Sequence, residues 1–357
     1  MIQISAPNLQ GCTAKTSSNN TNDLGIAPDN GDHPRWQTQL ADAIRDPAEL
    51  LNLLALPDDL LPQAIAVSLQ FPLRVPRPYV SRMKKGDQTD PLLLQVLPLA
   101  AEAHTSPGFV ADPVGDLAAQ SSPGLIHKYH GRILLVVTGA CAIHCRYCFR
   151  RHFPYNQSNP LADNWQQARQ YITSNPDIKE VILSGGDPLS LSDDRLDQLI
   201  SQLEHIPHVT TLRLHTRLPV VIPDRVTPAL LARLHHSRFK TVMVIHANHG
   251  NELDNSVKTA LAQLHNINVT LLNQSVLLKG VNDEVNTLKI LSETLFNCDV
   301  LPYYLHQLDK VSGAAHFEVN DAEARRLLKN LQKLVPGYLL PKLVREQAGA
   351  LSKLPLY

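Results

Sequence analysis

The chain lacks any excess of charge: across 357 residues, 33 Lys and Arg balance 33 Asp and Glu, so the formal net charge is zero. A nucleic-acid-binding surface needs a basic surplus on some face. The short basic runs here (Arg82 with Lys84 and Lys85; Arg150 with Arg151) read first as solvated surface. No apolar stretch approaches the ~20 residues of a membrane helix, and no basic patch followed by an apolar run opens the sequence, so neither a membrane span nor a signal peptide is expected. Cysteine is scarce, five in all. An odd count with three close together argues against a disulfide framework and for a reducing, cytoplasmic setting. The 43% apolar and 18% charged content that remains is that of an ordinary globular chain, long enough to bury a substantial core.

Residues 1–30, rich in Ser, Asn, Thr and Gly, predict a flexible or surface-wrapped tail. A mostly helical region is expected over 31–128. Within it, Asp46-Pro47-Ala48-Glu49 is a helix start with an Asp cap and Pro at the first position, another helix covers Pro57 to Val67, and 73–128 read as loops and short helices. After Gly131, β-rich runs alternate with helical ones. Strands are expected at Ile133–Val137, Glu180–Leu183, Thr211–His215, Thr241–His246, Val269–Gln274 and Val300–Tyr304, with helices between them from Asn164–Ser174 to Glu284–Phe296 and a last helix capped by Asn320. Six strand–helix units predict an α/β fold with a parallel sheet and right-handed crossovers, forming a core over 129–335 and followed by a C-terminal segment, 336–357. Sites in such folds lie at the carboxyl ends of the strands.

The chemistry-bearing residues fall at those ends. Cys141, Cys145 and Cys148 follow the first strand in a Cys-x3-Cys-x2-Cys run. Three thiolates can close one face of an iron–sulfur cluster and leave one iron open to a small molecule, whereas electron-transfer clusters normally take four. The rival is a structural zinc site completed by His144 or His152, but no second half-site of the usual kind is visible. Ser184-Gly185-Gly186-Asp187-Pro188 follows the second strand. It is good turn chemistry by itself, and it is also a place where glycines let a ligand approach the backbone. Tyr147 reads as core filler or as a contact for a nucleotide base. Arg150 reads as a surface arginine or as a bidentate grip on a carboxylate. Lys353, in a small-residue loop, reads as a solvated lysine or as a Schiff-base lysine, and residue chemistry alone does not choose. Cys298 reads as a plain buried thiol.

The cysteine run with its Gly-Gly-Asp-Pro strand end resembles the radical S-adenosylmethionine (SAM) superfamily. Arg82–Asp87, Pro123–Leu125, Arg132–Leu135, Cys141–Arg151, Ser184–Leu189, Asn273–Leu278, Gly280–Asp283 and Pro302–Tyr304 resemble the lysine 2,3-aminomutases within it, over about residues 36–355. The resemblance implies a partial TIM barrel, (β/α)6, and an isomerase that uses a [4Fe-4S] cluster, SAM and pyridoxal 5′-phosphate to move the amino group of lysine from the α- to the β-carbon. It implies cluster ligation by Cys141, Cys145 and Cys148. SAM contacts would come from Tyr147, Ser184, Gly185, Gly186 and Asp187, with His246, Asn248 and Gln274 in the same pocket. Lys353 would carry the pyridoxal group, Lys128, Tyr129 and Arg132 would surround its phosphate, Arg150 would hold the substrate carboxylate, and Asp283 and Glu346 would hold the lysine ε-ammonium.

The end of the chain four residues after Lys353 is similar to the short bacterial branch that makes (R)-β-lysine for elongation factor P, with a separate ligase as functional partner and a flavodoxin or ferredoxin as electron donor. Two positions depart from the clostridial pattern: Lys128 stands for an arginine, and Glu346 for an aspartate. An aminomutase for another amino acid and a cluster-carrying scaffold protein are the alternatives. Glutamate would be repelled by carboxylates at positions 283 and 346.

Overall fold

The computed structural model describes residues 35–158 and 165–357. The expected N-terminal tail lies outside the described residues, as does Cys12. The described residues begin with four helices, α1 (Trp36–Ala41), α2 (Pro47–Leu53), α3 (Leu61–Ser68) and α4 (Arg77–Val80), and then build ten strands interleaved with seven more helices. The strands are β1 (Gln120–Ser122), β2 (Leu125–Tyr129), β3 (Arg132–Thr138), β4 (Glu180–Gly185), β5 (Thr211–Thr216), β6 (Lys240–Ile245), β7 (Thr270–Val276), β8 (Leu301–His306), β9 (Lys342–Arg345) and β10 (Leu354–Pro355). The later helices are α5 (Gln166–Ser174), α6 (Asp193–Glu204), α7 (Leu218–Val221), α8 (Pro228–His235), α9 (Asn255–Asn266), α10 (Val285–Phe296) and α11 (Asp321–Leu331).

Local chemistry explains many of these boundaries. The Asp46 carboxylate accepts the Ala48 N–H at 2.9 Å and starts α2, while Ser192, Thr227, Asp254 and Asn320 cap α6, α8, α9 and α11 in the same way. The strands form one mixed sheet in chain order, with β3 through β9 parallel and the pairs β1–β2, β2–β3 and β9–β10 antiparallel.

All six expected strands are present. Four others were hidden. Pro123 and Gly124 (φ +72°) make the turn of a β1–β2 hairpin, inside a region read as loops and short helices. The four residues of β9 and two of β10 are too short for a periodic signal.

The sheet curls. Lys128, in β2, meets Glu346, the residue after β9, at 3.0 Å, although those strands stand seven places apart in the sheet order. In a flat sheet seven spacings would separate them by about 34 Å. Strand β5 shows how the two faces divide. Leu212 and Leu214 are buried in the core with the helices, while Arg213 and His215 alternate with them and face the hollow of the curve.

The N-terminal segment clamps the loop after β3. Gln95 O accepts the Arg146 N–H and Arg74 O accepts that of His144. The fully buried Arg146 guanidinium forks onto Glu102 at 2.8 and 2.6 Å, and Arg151 reaches the same carboxylate at 2.9 Å. Removing Glu102 would leave buried positive charge uncompensated. Glu102→Ala is therefore expected to lower stability by about 3–5 kcal/mol, read as a fall in the urea midpoint of the cluster-free protein. An unchanged midpoint would show that this clamp carries no stability.

Candidate active site

The loop after β3 turns back on itself twice, with the Cys148 N–H donating to Cys145 O at 3.0 Å and the Arg151 N–H to Cys148 O at 3.1 Å. These turns bring Cys141, Cys145 and Cys148, all free thiols, to the wall of one cavity of about 650 Å³. Burial, then the neighbouring sulfurs, push the Cys141 thiol well up, and burial followed by Cys145 raises Cys148 to about 11. Among the described residues no three His, Cys, Asp or Glu side chains converge as a single ion would require. Three thiols on the wall of one cavity, two of them pushed up by burial, fit a polynuclear metal group that takes them as thiolates.

The end of β4 packs directly on this loop. Gly186 N–H donates to Thr138 O at 2.7 Å and Asp187 N–H to Ala140 O at 2.8 Å. A Cβ on Gly185, which sits at φ +122°, would stand 2.5 Å from Thr138 O, and one on Gly186 would stand 2.3 Å from Ala140 O. The two glycines are thus required by the approach of the cysteine loop itself. Ser184, Gly185, Gly186 and Asp187 all line the cavity. The Asp187 carboxylate is already fully used: it accepts Thr216 Oγ1 and Arg217 N at 2.7 Å, Leu189 N at 3.0 Å and Leu218 N at 3.2 Å, tying the ends of β4 and β5 together. Burial still outweighs these bonds and leaves its pKa raised.

Part of the lining carries alternating charge. Arg150 Nε meets Asp116 at 2.7 Å and its Nη1 donates to Ser184 Oγ at 3.2 Å. Lys128 Nζ sits 2.5 Å from Asp116 and 3.0 Å from Glu346, and Lys353 Nζ lies 3.2 Å from both Glu346 and His306 Nε2. Burial opposes ionisation throughout. Arg150 and Lys128 nonetheless hold Asp116 below its usual range, and Lys353 and Lys128 do so for Glu346. Lys128 is raised by Asp116 and Glu346 against its own desolvation. Arg132 stands over the Tyr129 ring at 4.8 Å and lines the same cavity.

Also in the lining, Gln274 Nε2 contacts His246 Nε2 at 3.1 Å. Burial, then Arg217 and Lys353, lower His246 to about 3, so it stays neutral.

Two predicted residues stand outside the lining. Asn248 is buried behind Tyr147, donating to its hydroxyl at 2.6 Å, so it can act on the cavity only through that ring. The Asp283 carboxylate accepts the Gly280 N–H at 2.8 Å and closes its own turn. A further carboxylate, not singled out from the sequence, lines the cavity: Asp309. Burial, then Glu346, raise it to about 7, with Lys353 and Lys128 pulling the other way and Asp116 adding to the rise. Asp309 lies three residues beyond β8, where the strand-end rule would have found it had the strand been read through His306. Asp116 precedes the β1–β2 hairpin and had no such signal.

Comparisons with known proteins bear on this site. The family model of the radical SAM superfamily matches residues 135–290. The L-lysine 2,3-aminomutase of Escherichia coli (strain K12) is 53% identical over 325 residues, covering 90% of this chain and 94% of that protein. The L-lysine 2,3-aminomutase of Haemophilus influenzae is 51% identical over 318 residues, with 89% and 94% covered, and that of Clostridium subterminale is 35% identical over 280 residues, with 78% and 67% covered. The backbone contact between Gly186 and the cysteine loop gives a direct check. Gly186→Ala is expected to displace the loop and to cut iron bound after anaerobic reconstitution to a small fraction of wild type, and full iron uptake by the variant would refute that coupling.

Proposed function

The chain belongs to the lysine 2,3-aminomutase family of the radical SAM superfamily, and on that premise we propose that it converts free (S)-α-lysine to (R)-β-lysine. The observation that carries this reading is convergence. Lys353, Glu346, Asp309 and Arg150 line the same cavity as Cys141, Cys145 and Cys148, although more than half the chain separates Lys353 from Cys141. Such a volume is in the range that holds a small substrate with its cofactors. The contact between Lys128 and Glu346 supports the partial-barrel description, since it requires the sheet to close most of the way round.

Cys141, Cys145 and Cys148 would hold a [4Fe-4S] cluster, with SAM between it and the β4 glycines and Tyr147. Lys353 would carry pyridoxal phosphate, with Lys128, Tyr129 and Arg132 about its phosphate. When bound, the cluster and SAM would supply the radical that takes hydrogen from the substrate β-carbon, and pyridoxal phosphate the π-system across which the amino nitrogen migrates. The protein's own groups orient the substrate. The Arg150 fork, held by Asp116, takes the α-carboxylate. Asp309 and Glu346 take the ε-ammonium, with Asp309 in the role first given to Asp283. The apolar and neutral groups between, including His246, keep water from the reacting carbons.

On the resemblance of its motifs, the β-lysine would go to elongation factor P through a separate ligase. A flavodoxin or ferredoxin would deliver the electron, in the reducing cytoplasm that such a cluster needs.

Anaerobic incubation with SAM, a reductant, pyridoxal phosphate and (S)-lysine, followed by chiral analysis, tests the reaction. We expect (R)-β-lysine, and no β-lysine of either hand from protein loaded with both cofactors would overturn the reading. The ammonium site has its own signature. A carboxyl at about 7 must ionise to hold an ammonium, so lysine affinity should rise between pH 6 and 8 and level off above. Asp309→Asn should abolish that rise and weaken lysine binding about 30-fold, roughly 2 kcal/mol, whereas Asp283→Asn should leave both unchanged. The measurement is equilibrium binding of lysine across pH.

A further inference from the structure

Arg217 has no part in the scheme above, yet it is one of the most constrained side chains in the molecule. It follows the last residue of β5 and is only 6% exposed. Its Nη1 lies 2.7 Å from the sulfur of Cys145. Its Nη2 is shared by Gln95 Oε1 at 2.7 Å, Glu252 Oε2 at 2.8 Å and the Tyr79 hydroxyl at 3.1 Å. Glu252 is itself completely buried and cannot swing: its other oxygen accepts the N–H groups of Asn248 and His249 and the side-chain amide of Gln95. The guanidinium is therefore a fixed cation with one edge on a cysteine sulfur and the other on a fixed anion. Among the described residues Cys145 alone of the three cysteines has a charged side-chain donor on its sulfur. The Nε of Arg217 is buried without a partner, so the arrangement leaves one donor unsatisfied while keeping the contact to sulfur.

We infer that Arg217, through its hydrogen bond to the sulfur of Cys145, sets the reduction potential of the cluster that the three cysteines hold. The inference rests on the cluster reading above. An electron added to an iron–sulfur cluster places negative charge on its sulfurs, and hydrogen bonds and net charge there fix its potential. A charge-assisted N–H···S contact inside a dry wall stabilises the reduced form and raises the potential. Glu252, one contact further from the sulfur, offsets part of that effect. The pair acts as a dipole with its positive end on the cluster ligand, and its two members should have opposite signs when removed. A purely structural role would not produce that opposition.

The test is an anaerobic redox titration followed by electron paramagnetic resonance, with iron and sulfide content measured on each sample. Arg217→Gln at full iron content should lower the ratio of reduced to oxidised cluster at a fixed ambient potential about tenfold, which is ~59 mV for a one-electron couple. Arg217→Lys should lower it less, and Glu252→Gln should raise it. An unchanged midpoint in Arg217→Gln at full iron content overturns the inference. Wild-type protein grown with arginine labelled with 15N in the guanidino group gives an answer that does not depend on a variant folding. Pulsed resonance on its reduced cluster should reveal a nitrogen coupling, and its absence overturns the inference. A wild-type protein that takes up no cluster from iron and sulfide would instead overturn the cluster reading, and this inference with it.

Discussion

Five side chains of alternating sign hold the two ends of this sheet together: Arg150, Asp116, Lys128, Glu346 and Lys353, each within 3.2 Å of the next. They come from the cysteine loop, the segment before β1, β2, the residue after β9 and the C-terminal loop. None of these places is close to the others along the chain except Glu346 and Lys353. Buried ion pairs are poor sources of net stability, because desolvation takes back most of the attraction. Their value here is registry. Each carboxylate is held between two cations and each interior cation between two acceptors, so a small change in the curl of the sheet breaks several contacts together. The same constraint fixes where a substrate's charged ends can go.

The interior of the curve departs from the rule that governs the rest of the fold. Outside, apolar side chains of the strands and helices form one large core and two smaller ones among the described residues. Inside, the alternation of each strand delivers Lys128, Arg213, His215, Gln274, Tyr304 and His306 to a hollow. A hollow lined by cations, imidazoles and phenols cannot close on itself without burying unpaired polar atoms. The charged chain satisfies one end of it and the neutral imidazoles reduce the charge in the middle. The thiol end has no such internal solution: two of its three thiols are pushed up by burial and by one another. The imbalance at that end is chemical, and a metal group that takes the thiols as thiolates resolves it.

Much of this was legible in the sequence because period and punctuation carry strand and helix information locally. The apolar runs from Ile133 to Tyr304 marked all six central strands, and Asp46 and Asn320 marked their helices. Thirteen of the fifteen non-cysteine site residues expected from residue chemistry and family resemblance line the cavity, and all three cysteines do. Most of what escaped was decided by tertiary contact. Strand β9 pairs with β8 and β10 with β9, and their few residues have no period of their own. Asp283 looked right by position in a Gly-Val-Asn-Asp turn, but a short acid three residues after Gly280 satisfies that turn's own N–H. Asp309 lies three residues beyond β8, within reach of the strand-end rule, and was missed because the strand was read only to Tyr304.

In the proposed reading, Asp309 also accounts for the choice of substrate by charge. Arg150, Lys128 and Lys353 bring three positive charges to the empty wall, and Asp116 and Glu346, both held ionised, bring two negative ones. Asp309, at about 7, is the group whose charge is undecided. An amino acid with a cationic side chain settles it, because the ammonium pays for the ionisation that burial and Glu346 resist. A side-chain carboxylate would do the reverse, raising Asp309 further and opposing Glu346. A neutral side chain would leave the position protonated and contribute no attraction. In the proposed reading, the preference for lysine therefore comes from an acid kept near its midpoint, while Glu346, already shared by Lys128 and Lys353, keeps the wall in register whether or not substrate is bound.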